Sequence, residues 1–311
     1  MSILLIGEFG DEEYSRWRET LAASLPHDER LFLAGDDYEL ASIDIALAAN
    51  PPAGSLAQLQ NLRLIQSLWA GVDRLLSDPT LPAHVPIVRL VDPNMTQAMM
   101  ECALACVLYL HRQLAAYARQ QGSREWKQLR QPLAQERRVG VLGAGQLGAA
   151  AAQALASLNF DVGAWSASAR IVEGVKTWSG AGLTALLART DILINLLPLT
   201  PQTSGLLNAE LFAQLPSGAA IVNLARGGHL NESDLLDALA SGHISHAILD
   251  VFSEEPLPAA HPFWSHARIT VLPHIAALTD VKTAAKIAAE NIKAFRAGKM
   301  PGPLVDRAKG Y

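Results

Sequence analysis

Residues 138–158, RVGVLGAGQLGAAAAQALASL, decide how this chain is read. A short apolar run of strand character passes into an alanine-rich helical run, and between them Gly143, Gly145 and Gly148 are spaced as GxGxxG. The first glycine permits a tight turn and the second lets a pyrophosphate approach the backbone. The third lets helix and strand pack closely, with the helix N-terminus facing the anion. Such spacing also occurs in purely structural turns; the strand before it and the helix after it are what point to a dinucleotide. Gln146 and Leu147, within the turn, join the three glycines as candidate cofactor-binding residues.

Downstream the alternation continues with strand DVGAWSA, a helix near 184–189, strand DILINLLP, a helix over 210–215 and strand AIVNLAR. A helix over 232–241 and strands HAILDVF and RITVLPH complete a doubly wound parallel sheet. Upstream, ILLIGE, an amphipathic stretch over 12–25, RLFLAG, SIDIALAA, LRLIQSL and PIVRLV give a second alternating series between residues 3 and 91. A long helical pattern over 95–119 and a polar, Gln-rich segment over 120–138, broken by Gly122 and Pro132, lie between the two series. The last helical pattern, 280–297, follows the completed second sheet and is expected to return to the first. The expected fold class is therefore α/β with two doubly wound parallel-sheet domains. One comprises 1–94 with 280–311 and is discontinuous; the other, 95–279, binds the dinucleotide.

The 311 residues exceed one typical core. Half are hydrophobic and 18% are charged, the balance of a folded globular protein. A formal net charge of −5, with Lys and Arg scattered singly, argues against nucleic acid as a partner. The N-terminal apolar run is followed at once by acidic residues, unlike a signal peptide, and the apolar stretch over 98–110 is too short for a membrane span. The two cysteines, Cys102 and Cys106, stand four apart on one helix. There a disulfide is awkward and two ligands alone make a poor metal site, so they read as packing residues in a reducing cytoplasm, with no metal.

Selectivity for the adenine ribose is set where the second strand of the dinucleotide sheet ends, a place at which NAD-binding chains carry a carboxylate. That end here is Ala164, Trp165, Ser166, Ala167, Ser168, Ala169 and Arg170, with no carboxylate, and Asp161 stands at the strand's opposite end. Ser166, Ser168 and Arg170 suit a 2′-phosphate, which favours NADPH over NADH. The alternative is that Arg170 is a solvated surface residue.

Further segments carry a resemblance: LWAGVD (68–73), VGVLGAGQLG (139–148), NLLPLTPQTSGLLN (195–208), IVNLARGGHLNESDLLDAL (221–239), LDVFSEEPLP (249–258) and LPHIAALT (272–279). Together they resemble the D-2-hydroxyacid dehydrogenase family. WSASAR and the closing VDRAKGY resemble its glyoxylate/hydroxypyruvate reductase branch. The resemblance implies a flavodoxin-like substrate domain, a Rossmann cofactor domain, a homodimer, and reduction of a small 2-oxo acid to the D-2-hydroxy acid.

It also implies a catalytic set: Arg226 holds the substrate, His274 is the acid–base residue, and Glu255, directly before Pro256, orients the histidine. The chemistry agrees, because hydride reaching a ketone carbon leaves a developing alkoxide that needs a proton donor and positive charge. A lone histidine is usually structural; His274 is singled out by following Pro273 at a strand end. Glu254 is the alternative carboxylate.

By motif position, Trp69, Ala70 and Gly71 belong to a loop whose amides receive the substrate carboxylate, with Trp69 either walling the pocket or only packing. Leu197, Pro198 and Thr203 join the cofactor set, Thr203 toward a phosphate or as a helix cap, and Asp250 toward the nicotinamide carboxamide. The chain departs from the family at Ala276 and Ala277, where small polar residues are common, and from the reductase branch at Ala167, where Arg is common. Two other functions compete. One is a non-catalytic, NAD(H)-sensing, corepressor-like protein on the same fold. The other is formate oxidation, which pairs the histidine with Gln and is disfavoured by Glu255.

Overall fold

In the computed structural model, which describes residues 2–311, two parallel sheets are built from the two alternating series. The chain divides into two compact units, one running to Met95 and resuming over Thr279–Tyr311, the other spanning Thr96–Leu278.

The first unit opens with β1 (Ser2–Gly7), whose apolar residues are buried on both faces as a central parallel strand requires. Helix α1 (Asp11–Ser24) follows, with three acidic residues in its first turn, where the helix dipole favours negative charge. Strands β2 (Arg30–Leu33), β3 (Ile43–Ala49) and β4 (Leu64–Ser67), the short helix α2 (Asp73–Leu76) and β5 (Ile87–Val88) complete the sheet. Its order is β2-β1-β3-β4-β5, all parallel.

The chain leaves through α3 (Pro93–His111) and α4 (Leu114–Ser123). The sequence pattern over 95–119 reads as one helix, but the structure divides it. Gln113 turns into the left-handed region at φ +58°, and its side-chain amide is spent on Arg130 O. A residue in that conformation ends the helical hydrogen-bond ladder.

The second unit contains β6 (Arg138–Leu142), α5 (Gln146–Ser157), β7 (Asp161–Ser166), β8 (Lys176–Ser179), α6 (Leu183–Leu187), β9 (Ile192–Asn195) and α7 (Ala209–Ala213). It continues through β10 (Ala219–Asn223), α8 (Glu232–Ala240), β11 (Ile244–Leu249) and β12 (Ile269–Val271). The sheet order is β12-β11-β10-β9-β6-β7-β8, again all parallel. Strand order reverses at β6, so the C-terminal ends of β6 and β9 frame the switch point at which ligands of such sheets bind. Strand β8 has no counterpart in the sequence reading: four residues at the sheet edge, KTWS, carry too little apolar signal.

The last helix, α9 (Val281–Arg296), returns to the first unit and packs on α1. Asp280 caps it by accepting from the Thr283 amide at 2.9 Å, and its buried residues Val281, Ala284, Ala285, Ala288, Ala289 and Ile292 form one apolar stripe. Arg296 ends the helix bonded to both Glu29 and Asp44. Among the described residues, no helix is long and apolar enough to cross a membrane.

Candidate active site

The glycine turn sits between β6 and α5. Gly143 has φ +101°, and a Cβ there would stand 2.6 Å from Leu196 O, so neither the conformation nor the space admits a side chain. At Gly148 a Cβ would stand 1.7 Å from Gly143 O, which is the close packing of helix on turn. At Gly145, the N-cap of α5, a Cβ would meet nothing within 4 Å, and the helix has no side-chain cap. Open space over an uncapped helix N-terminus fits the pyrophosphate of a dinucleotide. Gln146 is exposed and donates to Thr96 Oγ1 at 3.1 Å, and Leu147 is half-buried.

At the end of β7 the Ser166 hydroxyl donates to Ser168 O at 2.7 Å. Its proton is thus used inside the loop, and a phosphate contact through it would have to displace that bond. Arg170 is exposed and makes no ion pair with any described residue. Asp161, at the start of the strand, is paired with Arg189.

After β9, Leu197 is buried in the core and Pro198 is half-buried. The Thr203 hydroxyl donates to Pro198 O at 2.7 Å and accepts from the Thr200 amide at 2.9 Å. It therefore staples this loop, and a phosphate contact would have to displace one of those bonds.

Arg226 lies three residues beyond β10, on a loop fixed by two buried amides. Asn195 Nδ2 donates to Asn223 Oδ1 at 3.0 Å, and Asn223 Nδ2 donates to Arg226 O at 3.0 Å. Gly227 lets this loop press against the next one: a Cβ there would stand 1.9 Å from the carbonyl carbon of Phe252. That second loop carries Glu255. Its Oε1 accepts from the Phe252 amide at 2.8 Å, and its Oε2 lies 2.7 Å from His274 Nδ1. The carboxylate bonded to the histidine is thus that of Glu255, while Glu254 is exposed with no such contact.

The charges reinforce one another. The hydrogen bond from Glu255 raises the His274 pKa above its ordinary value; partial burial and the Arg226 charge oppose this, and Asp250 adds to it. Burial pushes the Glu255 carboxyl up, but the His274 and Phe252 hydrogen bonds and the charges of His274 and Arg226 outweigh it and hold it below the usual range. With Glu255 on Nδ1, the imidazole presents Nε2 outward, and half of the side chain is exposed.

Asp250 contributes a feature that the sequence does not reveal. The residue is 1% exposed; its main-chain oxygen accepts from the His274 amide at 2.9 Å, and its two carboxylate oxygens accept from Ile275 N at 2.8 Å and Ala276 N at 3.0 Å. His274 itself is left-handed, at φ +54°, an uncommon conformation for a residue with a side chain. Asp250 is therefore a positioning residue, holding the backbone on both sides of the histidine. Burial raises its pKa, against the pull of those two amides.

In the first unit, Trp69, Ala70 and Gly71 form part of the loop after β4. Trp69 is half-buried and stacks edge-on against Phe9 and Trp17, with ring centroids 6.1 and 6.2 Å away. Cys102 and Cys106 pack together on α3, and among the described residues no group of three or more His, Cys, Asp or Glu could hold a metal ion.

A histidine whose pKa is raised by a carboxylate, on a sheet whose glycine turn admits a pyrophosphate, defines a nicotinamide-dependent oxidoreductase. The family model described as D-isomer specific 2-hydroxyacid dehydrogenase, NAD binding domain, matches residues 104–276, and the chain belongs to that family. It is 43% identical over 318 residues to glyoxylate/hydroxypyruvate reductase A of Serratia proteamaculans, covering all of both chains. Among solved structures, a D-isomer specific 2-hydroxyacid dehydrogenase from Xanthobacter autotrophicus Py2, in complex with NADPH and MES, has a TM-score of 0.92 at 42% identity and covers 99% of each chain. The NADPH-dependent glyoxylate/hydroxypyruvate reductase of Sinorhizobium meliloti, in complex with NADP and sulfate, has a TM-score of 0.93 at 37% identity, covering 100% of this chain and 99% of its own.

Proposed function

We propose that this protein reduces a small 2-oxo acid, of the glyoxylate or hydroxypyruvate type, to the corresponding D-2-hydroxy acid, with NADPH as the preferred cofactor. The observation that carries this reading is the 2.7 Å contact between His274 and Glu255, which raises the pKa of the imidazole and so favours its proton-carrying form. When bound, the reduced nicotinamide supplies hydride to the carbonyl carbon. His274 Nε2 gives its proton to the carbonyl oxygen as negative charge develops there, and Glu255 stabilises the imidazolium beforehand. Arg226 offers a planar fork to the oxygens of the acid. The amides of Ala70 and Gly71 receive the substrate carboxylate.

The named relatives are two reductases and a dehydrogenase, and the two solved structures among them hold NADPH or NADP, which supports this reading over a non-catalytic corepressor-like sensor. The carboxylate at position 255 supports it over formate oxidation. The remaining partner assignments are a homodimer in the cytoplasm and no nucleic acid, the last supported by the net charge of −5.

Loss of reduced-cofactor absorbance with glyoxylate, hydroxypyruvate and longer 2-oxo acids, each with NADPH and NADH, tests the proposal. Turnover with the two small acids and a product of D configuration are expected from hydroxypyruvate; inactivity toward every acid with both cofactors would reject it.

A further inference from the structure

Arg89 follows directly on β5, at the C-terminal edge of the five-stranded sheet. Its amide donates to Pro303 O at 3.2 Å, and the next residue, Leu90, donates to Trp69 O at 3.3 Å, so the main chain at Arg89 runs alongside the loop that carries Ala70 and Gly71. The side chain is partly buried and makes no ion pair or hydrogen bond with any described residue. Three other arginines of this unit are satisfied: Arg296 by Glu29 and Asp44, Arg74 by Glu8, and Arg307 by the carbonyls of Pro82 and Val85.

A guanidinium drawn part-way out of water without a counter-charge costs stability, and burial alone pushes its pKa down. Such a cost is tolerated where a ligand supplies the missing charge. The C-terminal edge of a parallel sheet is the place where ligands of this architecture bind. Five donors in a rigid fork match a carboxylate, whose two oxygens can accept from Arg89 as well as from the loop amides and Arg226.

We propose that Arg89 is a specificity-determining residue which, with the Ala70–Gly71 loop, binds the carboxylate of the oxo acid. The identity of that acid rests on the reductase reading above; the anion site does not. Arg89 thereby selects acids over neutral carbonyl compounds and acts on substrate binding, with no part in proton transfer.

The test pairs calorimetric titration of oxalate, an acid that cannot be reduced at a ketone carbon, with steady-state kinetics on glyoxylate, for the parent, Arg89→Met and Arg89→Lys. In Arg89→Met, oxalate affinity should fall and the glyoxylate KM rise by about tenfold or more, the effect of losing one charge-assisted hydrogen bond. The kcat and the NADPH affinity should stay within about twofold, and Arg89→Lys should recover part of the loss because it keeps the charge without the fork. Unchanged oxalate affinity and KM in Arg89→Met, or a parent that does not bind oxalate, overturns the proposal. If Arg89→Met melts early, Arg89→Gln is measured in the same way. A parent that binds oxalate through Arg89 yet reduces no oxo acid would leave the anion site standing and remove the reductase reading.

Discussion

His274 donates from Nδ1 to Glu255 Oε2 across 2.7 Å, while the other oxygen of that carboxylate is tied to the Phe252 amide at 2.8 Å. Glu255 therefore cannot swing away without abandoning a backbone donor, and the pair behaves as one unit with a preset orientation. The hydrogen bond raises the pKa of the histidine and, working against burial, lowers that of the carboxylate.

The sign of the pH effect follows. Reduction needs the imidazolium, so its rate is retained below the raised pKa of His274 and lost as pH climbs through it. Glu255→Gln removes the charge that raises that pKa, and the alkaline limb of kcat/KM for reduction should move to lower pH. An unmoved limb would reject the pairing as the source of the acid.

Arg226→Ala should lower kcat/KM for glyoxylate by roughly a hundredfold or more, because a charged hydrogen-bonding fork is removed from the reacting acid. Cofactor dissociation constants, measured by fluorescence of the reduced nicotinamide, should stay within about twofold. Equal losses in both quantities would place Arg226 against the cofactor or in the fold.

Asp250→Ala should be felt at His274 without touching substrate. The variant leaves the amides of Ile275 and Ala276 without their acceptor, a loss on the order of 1–3 kcal/mol for each group that stays dry. A lower melting temperature and a fall in kcat larger than any change in the NADPH dissociation constant are expected. Asp250→Asn keeps one acceptor oxygen and should fall between parent and Ala. A kcat equal to that of the parent in both variants would show that the histidine loop holds itself.

These two aspartate-to-backbone contacts mark where the sequence stops being informative. The parallel sheets are legible because each strand is a short apolar run separated by helical periodicity, and the glycine turn because its three residues have no other way to bring helix N-terminus and strand together. Strand β8 is not legible: it has four residues at an edge, and its Trp178 is accommodated by a neighbour, since a Cβ on Gly163 would meet that ring at 2.6 Å. The break between α3 and α4 depends on the Gln113 side chain reaching Arg130, seventeen residues on. Glu255 and His274 stand in recognisable motifs, whereas the positioning role of Asp250 depends on His274 adopting φ +54°, which no residue pattern announces. Arg89 is a single cation at the end of an apolar run, and only the fold shows that it has no ion pair or hydrogen bond with any described residue.

Acid should destabilise the second unit through His246. This residue is buried, with Nε2 2.9 Å from Thr270 Oγ1; burial chiefly, with the charges of Arg119 and His266, pushes its pKa down to about 4. In the unfolded chain the imidazole takes a proton near pH 6.5, so between about pH 6.5 and 4 the unfolded state binds a proton that the folded state refuses. Stability should fall through that window, by on the order of 3 kcal/mol for this group at its lower end. His246→Gln, which cannot titrate, should flatten the pH dependence of the melting temperature there, and an equally steep dependence in the variant would assign the acid lability elsewhere.

We propose that cofactor choice rests on one exposed side chain, Arg170. The end of β7 has no carboxylate to accept from a ribose, and the Ser166 proton is already committed to Ser168 O, so Arg170 is left as the charged donor of the loop. A charge-assisted bond to a 2′-phosphate is typically worth about 1.5–3 kcal/mol, and solvent exposure reduces that here, so roughly tenfold selectivity for NADPH is expected. Arg170→Ala should raise the KM for NADPH by about that factor and leave NADH nearly unchanged. Ser166→Asp adds a carboxylate that repels the phosphate and accepts from ribose hydroxyls, and should move preference toward NADH. Because exposed charges are screened, the NADPH preference of the parent should also shrink as salt is raised from 0.05 to about 0.5 M. An Arg170→Ala variant that binds NADPH as well as the parent, at low and at high salt, would show that some other part of the turn reads the phosphate.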